Sequence, residues 1–297
     1  RKMIPATIGV AAFQFNILIT QTLAFWIERA SGAKIVASFE YAVRLMELPQ
    51  GVFGVSLATF LLPTLAGLAA EKQFPEFRAN LRRGMGYLFF VNAIAVAMLM
   101  VLAEPMVRLL FEYGEFTADS TRRASFALMC LAPSLLTYSA VNVMARAFYA
   151  LGDTKVPMQI SAVCLCLNIV VLLPLIFIFP KGLQAGALGV ANALSSLLNV
   201  GLLSYALKRK MPKWEIQSLL RPVTGMLLAA GVAGGVAWFL HDQWVANLGY
   251  ETVWLKIGEV FVPAIVAALF YCGITAAIGL REARDLFALI QKNQVED

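Results

Sequence analysis

The sequence predicts an all-α integral membrane protein with eight transmembrane helices. Two observations from composition support this prediction: 60% of the 297 residues are hydrophobic and only 14% are charged. Soluble domains contain about 45–50% apolar and about 25% charged residues, so a soluble fold of this length could not bury so much apolar surface. A third observation is that the apolar residues are gathered into runs, and a spanning helix needs roughly 20 mostly apolar residues.

Hydropathy divides the chain into eight apolar segments separated by polar connectors. In lipid, only helices and closed barrels satisfy every backbone hydrogen bond. Runs of this length are typical of helices rather than of the alternating strands, roughly ten residues long, that build a barrel. The segments lie at 4–27, 36–66, 84–103, 124–150, 157–179, 186–207, 222–240 and 255–279.

Lys and Arg residues are concentrated in the connectors on one side of the predicted bundle. An even number of spans places both ends on the same side, and the basic clusters at 82–83 and 208–210 lie on that side. Because cytoplasmic connectors carry more Lys and Arg, we expect both termini in the cytoplasm. The net charge of +6 lies in these connectors, so nucleic-acid binding is not indicated. Since Arg1 stands in place of an initiator Met, we expect a piece of a longer protein.

One connector on the opposite side, residues 104–123, has an amphipathic pattern. Its apolar residues are interspersed with charged ones such as Glu104 and Arg108. This pattern predicts a short helix that lies in the membrane interface, and an ordinary loop is the alternative. His241 falls in another connector, beside Asp242, and we expect it to be a solvated loop residue.

The second apolar segment contains the strongest candidates for a functional site. Glu40, Arg44 and Glu47 are spaced four and three residues apart, so they share one helical face and can pair. Charges in a spanning segment are costly and usually face a bundle interior or a watery cavity. Pro49 removes a backbone hydrogen bond and can bend the helix beside them. Alternatively, the outer end of this long helix projects from the membrane and leaves the charges solvated.

Uncharged polar residues occur in other segments. Gln14 and Asn16 of the first segment either hold helices together or line a polar path. The fifth segment has no acidic residue, so its Asn168, with Asn192 of the sixth, offers only neutral oxygens to a cation. The sequence has no GxxxxGK[ST] loop, no HExxH, no GxSxG and no pair of His or Cys ligands. Movement of a substrate is therefore favoured over catalysis, and neither a cofactor nor a metal is predicted.

Three stretches together resemble the MurJ/MviN lipid II flippases, in that family's order and spacing. They are YAVRLMELPQG at 41–51, EPMVRLLFEYGEFT at 104–117 and RAFYALGDTKVP at 146–157. The resemblance implies part of a fourteen-helix transporter of the bacterial inner membrane, with two six-helix lobes and a final helix pair. Residues 1–208 would form the second lobe, and residues 209–297 the additional helix pair and a cytoplasmic tail. The amino-terminal lobe would be missing.

The same resemblance implies a substrate and residues that bind it. The substrate is lipid II, moved across the membrane by alternating access. Arg44 matches the family's cavity-facing arginine, and a guanidinium binds phosphate oxygens through two parallel hydrogen bonds. Glu47 matches an acid that can hold Arg44 in place, while Gln14 and Asn16 remain candidates for the path.

Two departures from the family pattern and two other functions are also considered. Val43 stands where many members carry Asp, and the acid-free fifth segment puts a sodium site in doubt. One alternative function is a related exporter of the same superfamily that carries another polyprenyl-linked glycan or an amphiphile. The other is a membrane scaffold that transports nothing.

Overall fold

The computed structural model describes Thr22, Phe25, Trp26, Glu28, Arg29 and residues 34–285 except 181, 212, 215 and 216. Within these residues all regular secondary structure is helical, which confirms the all-α part of the prediction. The elements are α1 (Ile35–Pro49), a π segment (Gln50–Val55), α2 (Ser56–Ala70), α3 (Phe74–Val101), α4 (Ala103–Phe111), α5 (Ala118–Leu131), α6 (Ser134–Ala150), α7 (Lys155–Ile178), α8 (Ala185–Lys210), α9 (Gln217–Asn247) and α10 (Val253–Ala277).

Six helical stretches of the described chain are long and apolar enough to cross a membrane. A seventh results if α5 and α6, which are bent by 47° relative to each other, are counted as one span. Pro133 lies at this break, where its missing N–H interrupts the helical hydrogen bonds. These stretches correspond to the second to eighth predicted segments. The first predicted segment, 4–27, lies outside the described residues except at three positions.

Helices α3 and α9, and the pair α5 and α6 taken together, are longer than the apolar segments that predicted them. They begin at Phe74, Ala118 and Gln217 instead of at 84, 124 and 222, and α9 ends at Asn247 instead of at 240. The added turns carry charged or polar side chains, which end a hydropathy run without ending a helix. The prediction that His241 is a solvated loop residue is therefore wrong, because it lies in α9 with a side chain that is 21% exposed.

The amphipathic connector at 104–123 is partly helical. Helix α4 buries Ala103, Pro105 and Val107, whereas Glu104 is exposed. A helix is thus confirmed over most of the first half of the connector, and an ordinary loop is excluded there. Residues 112–117 lead to α5, so the second half of the connector is a short loop and the first turns of the next helix.

Helix α3 packs against all three hydrophobic cores of the described chain. Leu99 contributes to the core that includes α1, α5 and α8, and Leu81 to the core that includes α2 and α6. Phe90 and Ala93 pack in a third core with α9 and α10. Beyond these α3 contacts, α10 also contacts α4. The last two helices are therefore held to the others along α3 and at the end where α4 lies.

Gly189 allows α8 to approach the backbone of α5 closely. A Cβ atom at this position would lie 2.8 Å from the backbone N of Leu131 and 3.0 Å from the carbonyl carbon of Cys130. Backbone atoms cannot yield unless the helix moves, so we expect Gly189→Ala to lower the free energy of unfolding by roughly 1–3 kcal/mol. Thermal unfolding of the purified protein in detergent measures this loss.

The same helix offers a matched control for this prediction. A Cβ atom at Gly201 would have no neighbouring atom of the described residues within 4 Å. Gly201→Ala should therefore leave the melting temperature unchanged or raise it slightly, because alanine favours helix more than glycine does. Equal melting temperatures for the two variants would contradict the close approach at Gly189.

Candidate functional site

The two faces of α1 have different surroundings. Ala42 and Leu45 are buried in the core shared with α5 and α8. Arg44 and Glu47 lie away from that core and are exposed. The exposed face continues beyond them through apolar residues and a glycine: Leu48, Gly51 and Val52.

The predicted site residues are only partly brought together. Arg44 and Glu47 share one face of α1, as their spacing predicts, yet none of the ion pairs among the described residues joins them. An exposed guanidinium is available to an anionic ligand, and the same exposure is expected of a solvated helix end. Arg44 as an anion anchor therefore stays a prediction. Gln14 and Asn16 lie outside the described residues.

A π segment, Gln50–Val55, follows Pro49 directly. A π turn contains more residues than an α turn, and such turns are frequent at functional positions within helices. Gly54 is buried against α6, where a Cβ atom would lie 2.8 Å from Ser139 Oγ. A wider turn therefore lies just past Glu47, where the sequence predicts a bend, and the bend itself stays a prediction.

A cavity of about 350 Å³ lies beside the first turns of α1. The ring centroid of Tyr41 is 4.6 Å from that of Phe111 and 5.0 Å from that of Phe116. Tyr41 precedes Arg44 by one helical turn, so the cavity adjoins the charged face of α1. The other lining residues include polar and charged side chains: Lys34, Ser38, Glu115 and Ser120.

Neutral polar residues of α6, α7 and α8 hydrogen-bond to one another. Asn192 Oδ1 accepts hydrogen bonds from Tyr138 Oη at 3.1 Å and from Asn168 Nδ2 at 3.2 Å. Ser195 Oγ donates to the carbonyl oxygen of Cys164 at 2.7 Å. Asn192 Oδ1, which the sequence suggested as a neutral oxygen for a cation, thus already accepts two hydrogen bonds. This arrangement favours a role in helix association.

A buried charged cluster, which the sequence interpretation missed, joins α4 to α10. Arg108 Nη1 donates to Glu259 Oε1 at 2.8 Å, and Nη2 donates to Glu104 Oε1 at 2.7 Å. The guanidinium carbon lies 4.1 Å from the ring centroid of Tyr250. His241 Nδ1 is 3.6 Å from Glu259 Oε1. One signal could have found this cluster, because Glu259 is an acid inside the eighth apolar segment and charges in spanning segments are commonly functional.

Most of the chain matches a single protein family. The family model described as "Lipid II flippase MurJ" matches residues 1–256. The chain belongs to the MurJ family. Together with the long apolar helices, this membership makes the chain a multi-pass membrane protein.

Individual MurJ proteins agree with the family match but are much longer than this chain. The probable lipid II flippase MurJ of Vibrio cholerae is 34% identical over 201 residues, which are 68% of this chain and 37% of that protein. The corresponding Haemophilus influenzae protein is 28% identical over 293 residues, covering 92% of this chain and 54% of that protein. The chain therefore spans about half the length, or less, of these two relatives.

A solved structure of the lipid II flippase MurJ in an inward closed conformation has the same fold. Its TM-score is 0.63 over 85% of this chain and 48% of that chain, at 19% sequence identity. At this low identity the match shows the MurJ fold alone. The chain thus has the helix arrangement of about half of a MurJ protein.

Proposed function

We propose that the chain is the carboxy-terminal part of a flippase that moves lipid II across the bacterial inner membrane by alternating access. The observation that carries this proposal is the MurJ family match over residues 1–256. The matched region contains the motif at 41–51, which begins on a helical stretch long enough to span a membrane, and Arg44 of this motif is exposed. In alternating access, a polar cavity opens first to one side of the membrane and then to the other, and it shields the polar head group from hydrocarbon. This movement involves no covalent step. The chain accordingly acts as a transporter and not as an enzyme.

The proposed architecture has eight spans in two parts. Residues 1–208 form the second lobe, in which segment 4–27 is the first span, and residues 209–297 add a helix pair and a cytoplasmic tail. The described spans number six, or seven with the bent pair, which is compatible with this arrangement. An amino-terminal lobe, absent from this chain, completes the central cavity. The chain's length relative to its MurJ relatives supports this last point.

Arg44 is the proposed anchor for the pyrophosphate of lipid II. An exposed charge on a spanning helix is expensive in hydrocarbon, so a polar cover is needed where Arg44 and Glu47 emerge from the core of this lobe. A cavity between two lobes provides that cover, and the diphosphate of a lipid-linked substrate provides the opposite charge. Glu47 orients Arg44, and Gln14 and Asn16 line the same path.

A complete protein tests the proposed function. Joining the amino-terminal half of the Vibrio cholerae relative to residues 1–297 supplies the missing lobe. Purified and reconstituted in vesicles, this protein is expected to expose labelled lipid II to a reagent that cannot cross the membrane. Failure to translocate lipid II, in vesicles where the protein is inserted and folded, would contradict the proposal.

The same vesicles separate the alternative functions. An exporter of another polyprenyl-linked glycan would translocate a different lipid-linked sugar and leave lipid II in place. A scaffold would translocate neither. Faster translocation of lipid II than of a simple polyprenyl-phosphate sugar is therefore the expected result.

The proposed orientation, with both termini in the cytoplasm, makes a labelling prediction. Single cysteines at Thr117 and Asn247, both exposed, should react with an impermeant maleimide added to intact cells. Gln73 and Lys155 are also exposed, and both lie on the cytoplasmic side in the proposed orientation. Single cysteines at these two positions should react only after the membrane is opened. Labelling of the second pair in intact cells would invert the topology.

A further inference from the structure

We propose that Glu259 is a proton-binding site, and that its protonation releases Arg108 and so loosens the last helix pair from α4. This inference concerns a cluster of side chains that does not include Arg44, and it does not depend on the substrate. It starts from the ion pair between Arg108 Nη1 and Glu259 Oε1, at 2.8 Å. The two side chains are 11% and 0% exposed, so the pair is shielded from water.

Glu259 has an incomplete set of partners for a buried carboxylate. Its Oε1 atom accepts the hydrogen bond from Arg108, whereas Oε2 is buried and has no hydrogen-bond partner among the described residues. A buried carboxylate oxygen without a partner is costly, and a proton on that oxygen removes the charge. Glu259 also lies within a span, where ionisable residues are rare and commonly have a functional role.

His241 provides a route for the proton. In the part of the chain that the structure describes, its Nδ1 atom is buried without a hydrogen-bond partner. It lies 3.6 Å from Glu259 Oε1, while the side chain as a whole is 21% exposed. An imidazole can take up a proton from the surface and deliver it inward. Trp244 packs closely over Gly258, since a Cβ atom there would lie 2.2 Å from the indole. Direct access of water to Glu259 from that side is thereby restricted.

The charged and titratable groups around Glu259 come from α4, α9, α10 itself and the loop between α9 and α10. Helix α4 provides Arg108 and Glu104, the loop between α9 and α10 provides Tyr250, and α9 provides His241 and Asp242. Helix α10 itself adds Lys256. Helix α3 also packs on α10 but carries no charged residue over residues 88–101. Glu259 is the fully buried acid among them.

The proposed step is the uptake of one proton, with no change in any other bond. A hydronium ion protonates His241, which then gives a proton to a carboxylate oxygen of Glu259 and returns to the neutral imidazole. Glu259 becomes a neutral carboxyl group, and water is left outside. Arg108 then loses its buried counter-ion and keeps Glu104, whose side chain is 59% exposed. Because one partner of a buried pair is strongly destabilised when the other loses its charge, the contact between α4 and α10 weakens at acid pH.

Hydrogen exchange of the complete protein in detergent tests this step without lipid II. The amides of 103–111 are followed at pH 7.5 and pH 5.5, with the rates corrected for intrinsic exchange. We expect these amides to exchange roughly tenfold faster or more at the lower pH. Glu259→Gln, which resembles the protonated acid, should give the fast rate at both pH values. His241→Gln should keep the equilibrium difference, because Glu259 remains able to bind the proton.

Two further variants keep the test decisive. Asp119→Asn removes an acid that pairs with Arg123 on α5, outside the cluster, and should exchange like the wild type. Arg108→Lys keeps the charge opposite Glu259 and should retain the pH response even if Glu259→Gln does not fold. Equal protection of 103–111 at both pH values in the wild type would overturn the proposal. So would a pH response that persists in Glu259→Gln or disappears in His241→Gln. None of these outcomes bears on whether the complete protein translocates lipid II.

Discussion

Replacing Arg44 by Ala in a complete protein is expected to abolish translocation of lipid II while leaving expression and helix content near normal. The reason is that the guanidinium offers parallel hydrogen bonds to the pyrophosphate, and its removal takes no atom from the hydrophobic core, since Arg44 is exposed. Charge-assisted hydrogen bonds are worth roughly 1.5–3 kcal/mol each. Loss of one or two would weaken substrate binding by about one to four orders of magnitude.

Conservative variants separate charge from geometry at this position. Arg44→Lys should restore translocation only partly, because an ammonium keeps the charge but cannot form the paired hydrogen bonds. Glu47→Gln should have a milder effect, since it removes the partner that orients Arg44 and not the anchor. Arg122→Ala is a matched control, an exposed arginine near the start of α5, and should translocate normally. If Arg44 is merely solvated, Arg44→Ala will behave like this control, and the anchor hypothesis will be wrong.

The second large effect is expected when residues 1–297 are reconstituted without an amino-terminal lobe. This chain should insert in the membrane and translocate no lipid II, because it provides only one wall of the proposed path. Adding the amino-terminal half of the relative as a separate chain should restore some activity if the two parts associate. The measurement is the rate at which labelled lipid II reaches an impermeant reagent, in vesicles with equal amounts of inserted protein.

Activity of the 297-residue chain alone would contradict the two-lobe proposal. The covalently joined protein is the positive control, and its Arg44→Ala variant is the negative one. Should the short chain translocate as fast as the joined protein, the path would have to lie within the described helices, and the exposed face of α1 would need another explanation. Family membership would be unaffected by that result.

Hydropathy predicted the spans well because it measures the property that the membrane selects. It placed the ends of several helices poorly for a related reason. Asp119, Arg122 and Arg123 lie in the first turns of α5, and their charge lowers the local hydropathy although the backbone is already helical. The same holds for Arg82 and Arg83 in α3. A helix can extend beyond hydrocarbon, so its end is not an apolar boundary.

The candidate site could be predicted only where the partners are near in sequence. Spacing correctly placed Arg44 and Glu47 on one face, but it could not say whether they pair, and the described ion pairs lie elsewhere. Glu259 and Arg108 are separated by 151 positions, so no local sequence pattern could predict their contact. The folded arrangement of α4 and α10 creates that pair, and the packing of α9 against α10 places His241 beside it.

The wide turn after Pro49 changes which residues line each side of the second span. A helical wheel continued from buried Leu45 at 3.6 residues per turn would place Val52, Ser56 and Phe60 on the inner side, yet all three are exposed. The buried stripe resumes instead at Gly54 and continues through three residues of α2, Ala58, Leu61 and Leu65. The buried side of the second span therefore changes direction around the helix axis at the π segment. Substitutions meant to probe the substrate path must be chosen from separate wheels for 35–49 and 56–70, since a single wheel would mix exposed and buried positions in one half.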